Sequence, residues 1–257
     1  NTYLQLRGWN KKRRKYVEGA LYTNIFFDHC RIINLGRGEQ VDIEIITECN
    51  VKSTVSIFVE ADEQHPHLKH CKNLARVLSR YTPNTFRKNC HDKGKMYVVG
   101  TGKLGSNEIG NYRLTEYKDV QDALKGLSNA DVYYNGIGLS QTVQNIRDNK
   151  KYTSHPSMGN CFVSNVTSSC NYINAAHLDV DDSCEGIITW TIDGEDVDND
   201  FYFILPNVTV DGDKATIIKI HNGMTIKIDA RIIMHCSSLS FNNKAINVYG
   251  TFFGAKK

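Results

Sequence analysis

Residues 170–179 read Cys-Asn-Tyr-Ile-Asn-Ala-Ala-His-Leu-Asp. Their length and composition are those of a short strand ending in His-x-Asp. Strand alternation turns His177 and Asp179 to one face, where both can reach a single ion, and puts Asn171, Ile173 and Ala175 on that same face. A His-x-Asp pair is weak evidence in a chain with nine histidines, so its weight depends on its surroundings.

Toward the C-terminus the pattern is all-β. Strands are expected at Cys161 to Val166, Cys170 to Leu178, Gly186 to Ile192, Asp200 to Leu205, Ala215 to Ile220, Met224 to Ile228, Arg231 to Cys236 and Lys244 to Phe253. Short strands at this spacing suit a jelly-roll or double-stranded β-helix barrel, whose interior commonly holds a ligand or a metal.

The first half is mixed. Strands are expected at Gly19 to Phe27, Gln40 to Thr47 and Thr54 to Glu60, with Gly36-Arg-Gly38 as a hairpin turn. A helix starts at Pro66, with Leu68, Cys71, Leu74, Leu78 and Tyr81 as its apolar stripe. A second carries Tyr117, Val120, Leu124 and Leu127, a third begins near Ser140 with Val143 and Ile146, and a short strand, Asp131 to Tyr134, lies between them. The expected class is α+β: one domain over residues 1–257, with 1–149 a mixed supporting region and 150–257 the β-helix core.

His235, in Arg231-Ile-Ile-Met-His-Cys236, gives the His-x-Asp pair its support. Two imidazoles and one carboxylate on one face of an octahedral ion leave three positions open, the facial arrangement of non-haem iron. Zinc more often takes a tetrahedral or sulfur-containing set. Lys244, Ile246, Val248, Gly250 and Phe252 share one strand face, apolar apart from the lysine, so Lys244 should enter the barrel. A buried ammonium needs an anionic partner, and the far carboxylate of a metal-chelating dicarboxylate would be one. Arg231, on the His235 face, is a second candidate for that partner, and Asn171 a candidate polar contact.

His177-x-Asp179, His235 and a basic residue nine positions later resemble the signature of Fe(II)/2-oxoglutarate-dependent dioxygenases. Gly223-Met-Thr-Ile-Lys-Ile-Asp229 resembles the turn and strand before their distal histidine. The layout is similar to the branch containing the TET/JBP methylcytosine and thymine hydroxylases, although that branch usually has arginine where Lys244 stands. The resemblance covers roughly residues 160–254. It implies a double-stranded β-helix, Fe(II) held by His177, Asp179 and His235, 2-oxoglutarate and O2 as co-substrates, and oxidation of a substrate through oxidative decarboxylation of 2-oxoglutarate. The expected substrate is a modified nucleic-acid base such as 5-methylcytosine, with DNA or RNA as partner. Flipping the base into the barrel mouth would be required. Protein-residue hydroxylation is the alternative within the same chemistry, and a non-catalytic jelly-roll binding or structural module the alternative outside it.

Composition neither forces nor forbids a polyanionic partner. Net charge is +3 with mixed signs, and the basic exceptions are Lys11 to Lys15 (KKRRK), Arg87-Lys88 and Lys93 to Lys95. No apolar run is long enough to span a bilayer, and Asn1 to Gln5 lacks the layout of a secretion signal. The eight cysteines show no C-x-x-C pairs, as expected of reduced thiols in an intracellular protein, nuclear or cytoplasmic. The tripeptides at Asn165 and Asn207 therefore read as chance glycosylation matches. His65, His67, His70, Cys71, Cys90 and His91 form a second His/Cys group whose spacing fits no standard zinc finger. Gly100-Thr-Gly-Lys-Leu-Gly105 is no phosphate-cradling loop, because Lys103 is misplaced for one.

Overall fold

The computed structural model describes residues 30–46, 51–84, 94–105, 108–194, 201–208, 215–239 and 247–257, and the backbone of 3–4, 7–10, 15–18 and 25–26. The strands are β1 (Tyr3–Leu4), β2 (Arg7–Asn10), β3 (Lys15–Glu18), β4 (Ile25–Phe26), β5 (Arg31–Ile33), β6 (Gln40–Ile46), β7 (Lys52–Val59), β8 (Lys95–Lys103), β9 (Ile109–Asn111), β10 (Asn165–Cys170), β11 (Asn174–His177), β12 (Gly186–Asp193), β13 (Phe201–Leu205), β14 (Thr216–Lys219), β15 (Met224–Ile228), β16 (His235–Leu239) and β17 (Asn247–Phe253). The helices are α1 (Pro66–Leu78), α2 (Lys118–Lys125), α3 (Ala130–Gly136) and α4 (Ser140–Asp148).

Two sheets face each other. One has the order β6-β7-β15-β12-β17-β10-β8-β9, the other β3-β2-β11-β16-β13-β14-β5. Their central quartets, β15-β12-β17-β10 and β11-β16-β13-β14, are the two faces of a double-stranded β-helix, so the fold is α+β. Strands from the first half extend both sheets. Between the sheets lies an apolar core that includes Trp190, Phe201, Phe203, Met224, Ile226 and Val248. A second core, with Leu74, Leu78, Tyr97, Leu124, Tyr134, Phe162 and Phe253, cements the helices to the outer face of the eight-stranded sheet.

α1 forms where its sequence asks for it. Pro66 occupies the first turn, where its missing N–H is no loss, and His65 caps that turn, its Nδ1 accepting from His67 N at 3.2 Å. Leu68, Cys71, Leu74, Ala75 and Leu78 then recur on the buried side. Asp131 to Tyr134, expected as a strand, is instead part of α3. Its aromatic content suggested β, but Ala130, Tyr133 and Tyr134 are buried together with the helical spacing of one face, and packing decides.

Several strand boundaries also moved. Cys161 to Ser164 is not strand, because Ser154 Oγ donates to the carbonyls of Cys161 and Val163 and competes with a ladder. Residues 231–233 form a turn and β16 starts at His235, since Asp229 captures this segment: its carbonyl accepts from Ile233 N and its Oδ1 from Arg231 N. Gly100 to Lys103 belong to β8, where Gly100 has φ +102° and an added Cβ would lie 2.4 Å from Ser164 O. Asn165 is buried in β10, with Nδ2 donating to Thr101 O, which is no place for a glycan. No disulfide joins two described cysteines, and no helix among the described residues is long and apolar enough to cross a membrane.

Candidate metal centre

β11 and β16 pair antiparallel with His177 opposite His235, and their ring centroids are 4.4 Å apart. Asp179 lies just past the end of β11, fixed by its N–H donating to Ala230 O at 2.8 Å. Its Oδ1 is 3.4 Å from His177 Nε2 and its Oδ2 is 3.7 Å from His235 Nε2. One donor atom from each residue fits within 4.8 Å of the others, the one such cluster among the described residues. His235 Nδ1 lies 3.2 Å from Ile233 O. A proton donated there leaves the Nε2 lone pair to face the cluster, as in metal-ligating histidines.

The donor set fits an ion. Nitrogen and oxygen ligands sit about 2.0–2.2 Å from such metals, so ligands at right angles are about 3 Å apart. The carboxylate–imidazole separations of 3.4 and 3.7 Å would close by about half an ångström around an ion, and the widest donor–donor separation, within 4.8 Å, by more. The electrostatics agree. Burial works to raise the Asp179 pKa, but the hydrogen bond from His177 and the charges of His177, His235 and Lys256 outweigh it and hold the carboxyl well below the usual range.

A cavity of about 250 Å³ opens beside these ligands, walled by Trp190, Phe203, Ile228 and Phe252, with Ser169, Tyr172, Asn174 and Ser237 as polar points. Trp190 Nε1 is buried with no hydrogen-bond partner among the described residues. Gly250 keeps the cavity open, since a Cβ there would approach Trp190 Cζ3 at 2.9 Å and Ser169 Oγ at 2.8 Å.

The other expected site residues fare differently. Lys244 lies outside the described residues. Arg231 is spent elsewhere: it donates from Nε and Nη2 to the two oxygens of Asp229 and from Nη1 to Ser183 O, and it does not line the cavity. Asn171 also misses the cavity. Its Oδ1 accepts from Val248 N and its Nδ2 donates to Asn247 Oδ1. The register shift between Asn174 and His177 breaks simple alternation, so Tyr172 and Asn174 reach the cavity in place of Asn171 and Ile173.

Sequence reasoning missed Lys256. It is the lysine or arginine that lines the cavity among the described residues. Lys256 Nζ donates to the buried Asp182 and lies 5.7 Å from the centre of the Phe252 ring. Burial raises the Asp182 pKa to about 6, against the pull of Lys256 and with help from Asp179 and Asp181. The signal was present, because Lys256 continues the two-residue period of Val248, Gly250 and Phe252.

The second His/Cys group does not converge on an ion among its described members. His67 is buried, and burial lowers its pKa to about 3. Its Nε2 is 2.9 Å from the Tyr134 hydroxyl and 3.5 Å from Cys71 Sγ. Tyr134 passes the chain on to Thr189 Oγ1 at 2.8 Å, and Thr189 to Thr225 Oγ1 at 3.0 Å. Cys90 and His91 lie outside the described residues, as do Lys11 to Arg14, Arg87, Lys88 and Lys93.

No family model and no curated protein matches the chain. Among solved structures, NgTET1 in complex with 5mC DNA aligns with a TM-score of 0.56 at 10% identity, over 79% of this chain and 72% of that one. JOX2 in complex with 2OG, Fe and JA aligns at 0.39 and 10% identity, over 78% and 68%. An oxidoreductase of the 2OG-Fe(II) oxygenase family from Burkholderia pseudomallei aligns at 0.36 and 15% identity, over 71% and 80%. With NgTET1 the chain shares its fold, an α+β double-stranded β-helix with helices packed on the outer face of one sheet.

Proposed function

We propose that the chain is an Fe(II)- and 2-oxoglutarate-dependent oxygenase acting on a modified nucleic-acid base, with 5-methylcytosine as the first candidate. The observation that carries this reading is the meeting of His177, Asp179 and His235 at the wall of a cavity. His177 and His235 would hold the ion through Nε2 and Asp179 through a carboxylate oxygen, leaving sites for co-substrate and dioxygen. Iron so held couples decarboxylation of 2-oxoglutarate to oxidation of a substrate C–H bond.

The chain's own residues do the rest. Trp190, Phe203 and Phe252 exclude water from the cavity. Lys256, already paired with Asp182 through one of its three N–H donors, would present the others to a carboxylate at the Asp179 end, and the buried Trp190 N–H would offer a further donor. At about 250 Å³ the cavity is smaller than most drug-sized sites, roughly 300–1,000 Å³, so it suits a small acid, and the substrate would engage from outside. Lys256→Gln is expected to raise KM for 2-oxoglutarate roughly tenfold or more, as loss of a charge-assisted hydrogen bond does, with little change in Fe(II) affinity. An unchanged KM would remove Lys256 from this role.

Two observations support a nucleic-acid substrate. One is the fold shared with NgTET1, a protein bound to 5mC DNA. The other is topological. β2 runs parallel to β11 with Gly8 opposite Ala176, and so ends, at Asn10, level with the His177 end of its neighbour. β3 resumes at Lys15 opposite Asn10, and the sequence between them is Lys-Lys-Arg-Arg. Succinate release measured with methylated and unmethylated DNA, RNA and peptides tests the assignment. Stimulation by methylated oligonucleotides is expected. Stimulation by peptides alone would move the substrate to a protein residue.

A further inference from the structure

α1 presents a second, chemically distinct surface at the far end of the barrel. β12 has Gly186 at the metal end, opposite Ile228, and Asp193 at the other, and Asp193 is the residue that α1 reaches through Arg76. Lys69, Lys72 and Arg76 recur at helical spacing. With Arg37, Glu63 and Gln64 they line a groove of about 580 Å³.

Two of its four cations are already committed. Arg76 donates from Nε and Nη2 to the two oxygens of Asp193 at 2.9 and 2.6 Å, and Arg37 pairs with Glu63. The ammonium groups of Lys69 and Lys72 make no hydrogen bond or ion pair with any described residue, Lys69 bonding only through its backbone N–H to His65 O. Lys72 is the informative one. It is half-buried, and burial pulls its pKa below the ordinary lysine value by more than Asp193 draws it back, with Arg76 adding to the fall. An ammonium drawn partly out of water beside a guanidinium, with no anion in contact among the described residues, is an incomplete arrangement.

The geometry points to a site for a phosphomonoester group, in which Lys69 and Lys72 neutralise the dianion at a wall whose guanidinium groups are held in place by Asp193 and Glu63. A phosphomonoester carries about −1.5 to −2 at neutral pH, which matches two uncommitted lysines better than the single charge of a phosphodiester. The groove's volume is that of a small-molecule site, so the group belongs to a small phosphorylated compound or is free phosphate. This site is separate from the metal centre and does not depend on the function proposed for it.

Calorimetric titration of the whole chain with inorganic phosphate and with a nucleoside 5′-monophosphate tests the inference and separates the two sources. Saturable binding is expected for at least one of them at physiological salt. The Lys69→Gln/Lys72→Gln variant should lose roughly tenfold or more in affinity, while Lys118→Gln, exposed and outside the groove lining, should bind as the parent does. Fe(II) affinity should be the same in all three. Binding that survives in the double variant, that falls equally in Lys118→Gln, or that never saturates overturns the site. So does a duplex oligonucleotide that binds through these lysines and is not displaced by phosphate. Binding seen only after Glu195, Asp196, Asp198 and Asp200 are neutralised would mean that the chain's own acids compete for the groove, and the inference would fall.

Discussion

Asp179→Asn is expected to abolish 2-oxoglutarate turnover while leaving a cooperatively folded protein. The substitution preserves shape and removes the one anionic ligand. Loss of a group that merely orients a metal ligand costs 10–100-fold in affinity or activity, so loss of a ligand itself should exceed about 100-fold. Anaerobic addition of Fe(II) and 2-oxoglutarate to the parent should produce a weak visible charge-transfer band, and Asp179→Asn and His177→Ala should both lack it. A parent protein without the band would sink the oxygenase reading. A variant that kept both band and turnover would remove Asp179 from the ligand set.

The second large effect concerns the joint between helices and sheet. Tyr134 is fully buried, touches His67, Tyr133, Phe162 and Phe253 through its ring, and links His67 to Thr189 through its hydroxyl. Tyr134→Ala removes most of an aromatic side chain from a close-packed layer and should cost about 3–5 kcal/mol. Tyr134→Phe keeps the ring but removes the hydroxyl that joins His67 to Thr189, leaving them Cys71 Sγ and Thr225 Oγ1 as partners, and should cost about 0.5–1.5 kcal/mol, a typical net hydrogen-bond contribution. Denaturant unfolding of the three proteins separates the contributions. If the alanine variant unfolds within about 1 kcal/mol of the parent, the layer repacks and Tyr134 is not its keystone.

The barrel was legible because its strands are short, apolar and evenly punctuated, and because His177, Asp179 and His235 are chemically conspicuous. What escaped was local geometry. The irregularity between Asn174 and His177 leaves no mark in composition, yet it decides that Asn174 and not Asn171 faces the cavity. Arg231 shares the expected face of His235, but Asp229, two residues before it, takes its guanidinium. Lys256 escaped because it lies beyond the end of the strand, Asn247–Phe253, whose alternation marks the cavity wall. In α3, β-like composition concealed a helix whose burial pattern, Ala130, Tyr133 and Tyr134, is set by the layer it packs against.

The pairing of β2 with β11 bears on how the molecule assembles. The eight barrel strands follow one another from Asn165 onward, but β11 has only β16 as a neighbour among them. Its other side is completed by a strand from the chain's first ten residues, a closure spanning more than half the sequence. Such long-range pairings are slow, because the entropy of closing the intervening loop is lost before any contact rewards it. Until β2 arrives, the strand that bears His177 is an open edge, with the exposed N–H and C=O groups from which sheets aggregate. An ion held by His177, Asp179 and His235 would tie β11 to β16 and favour the assembled state by mass action, so metal supply during synthesis would govern yield as well as activity.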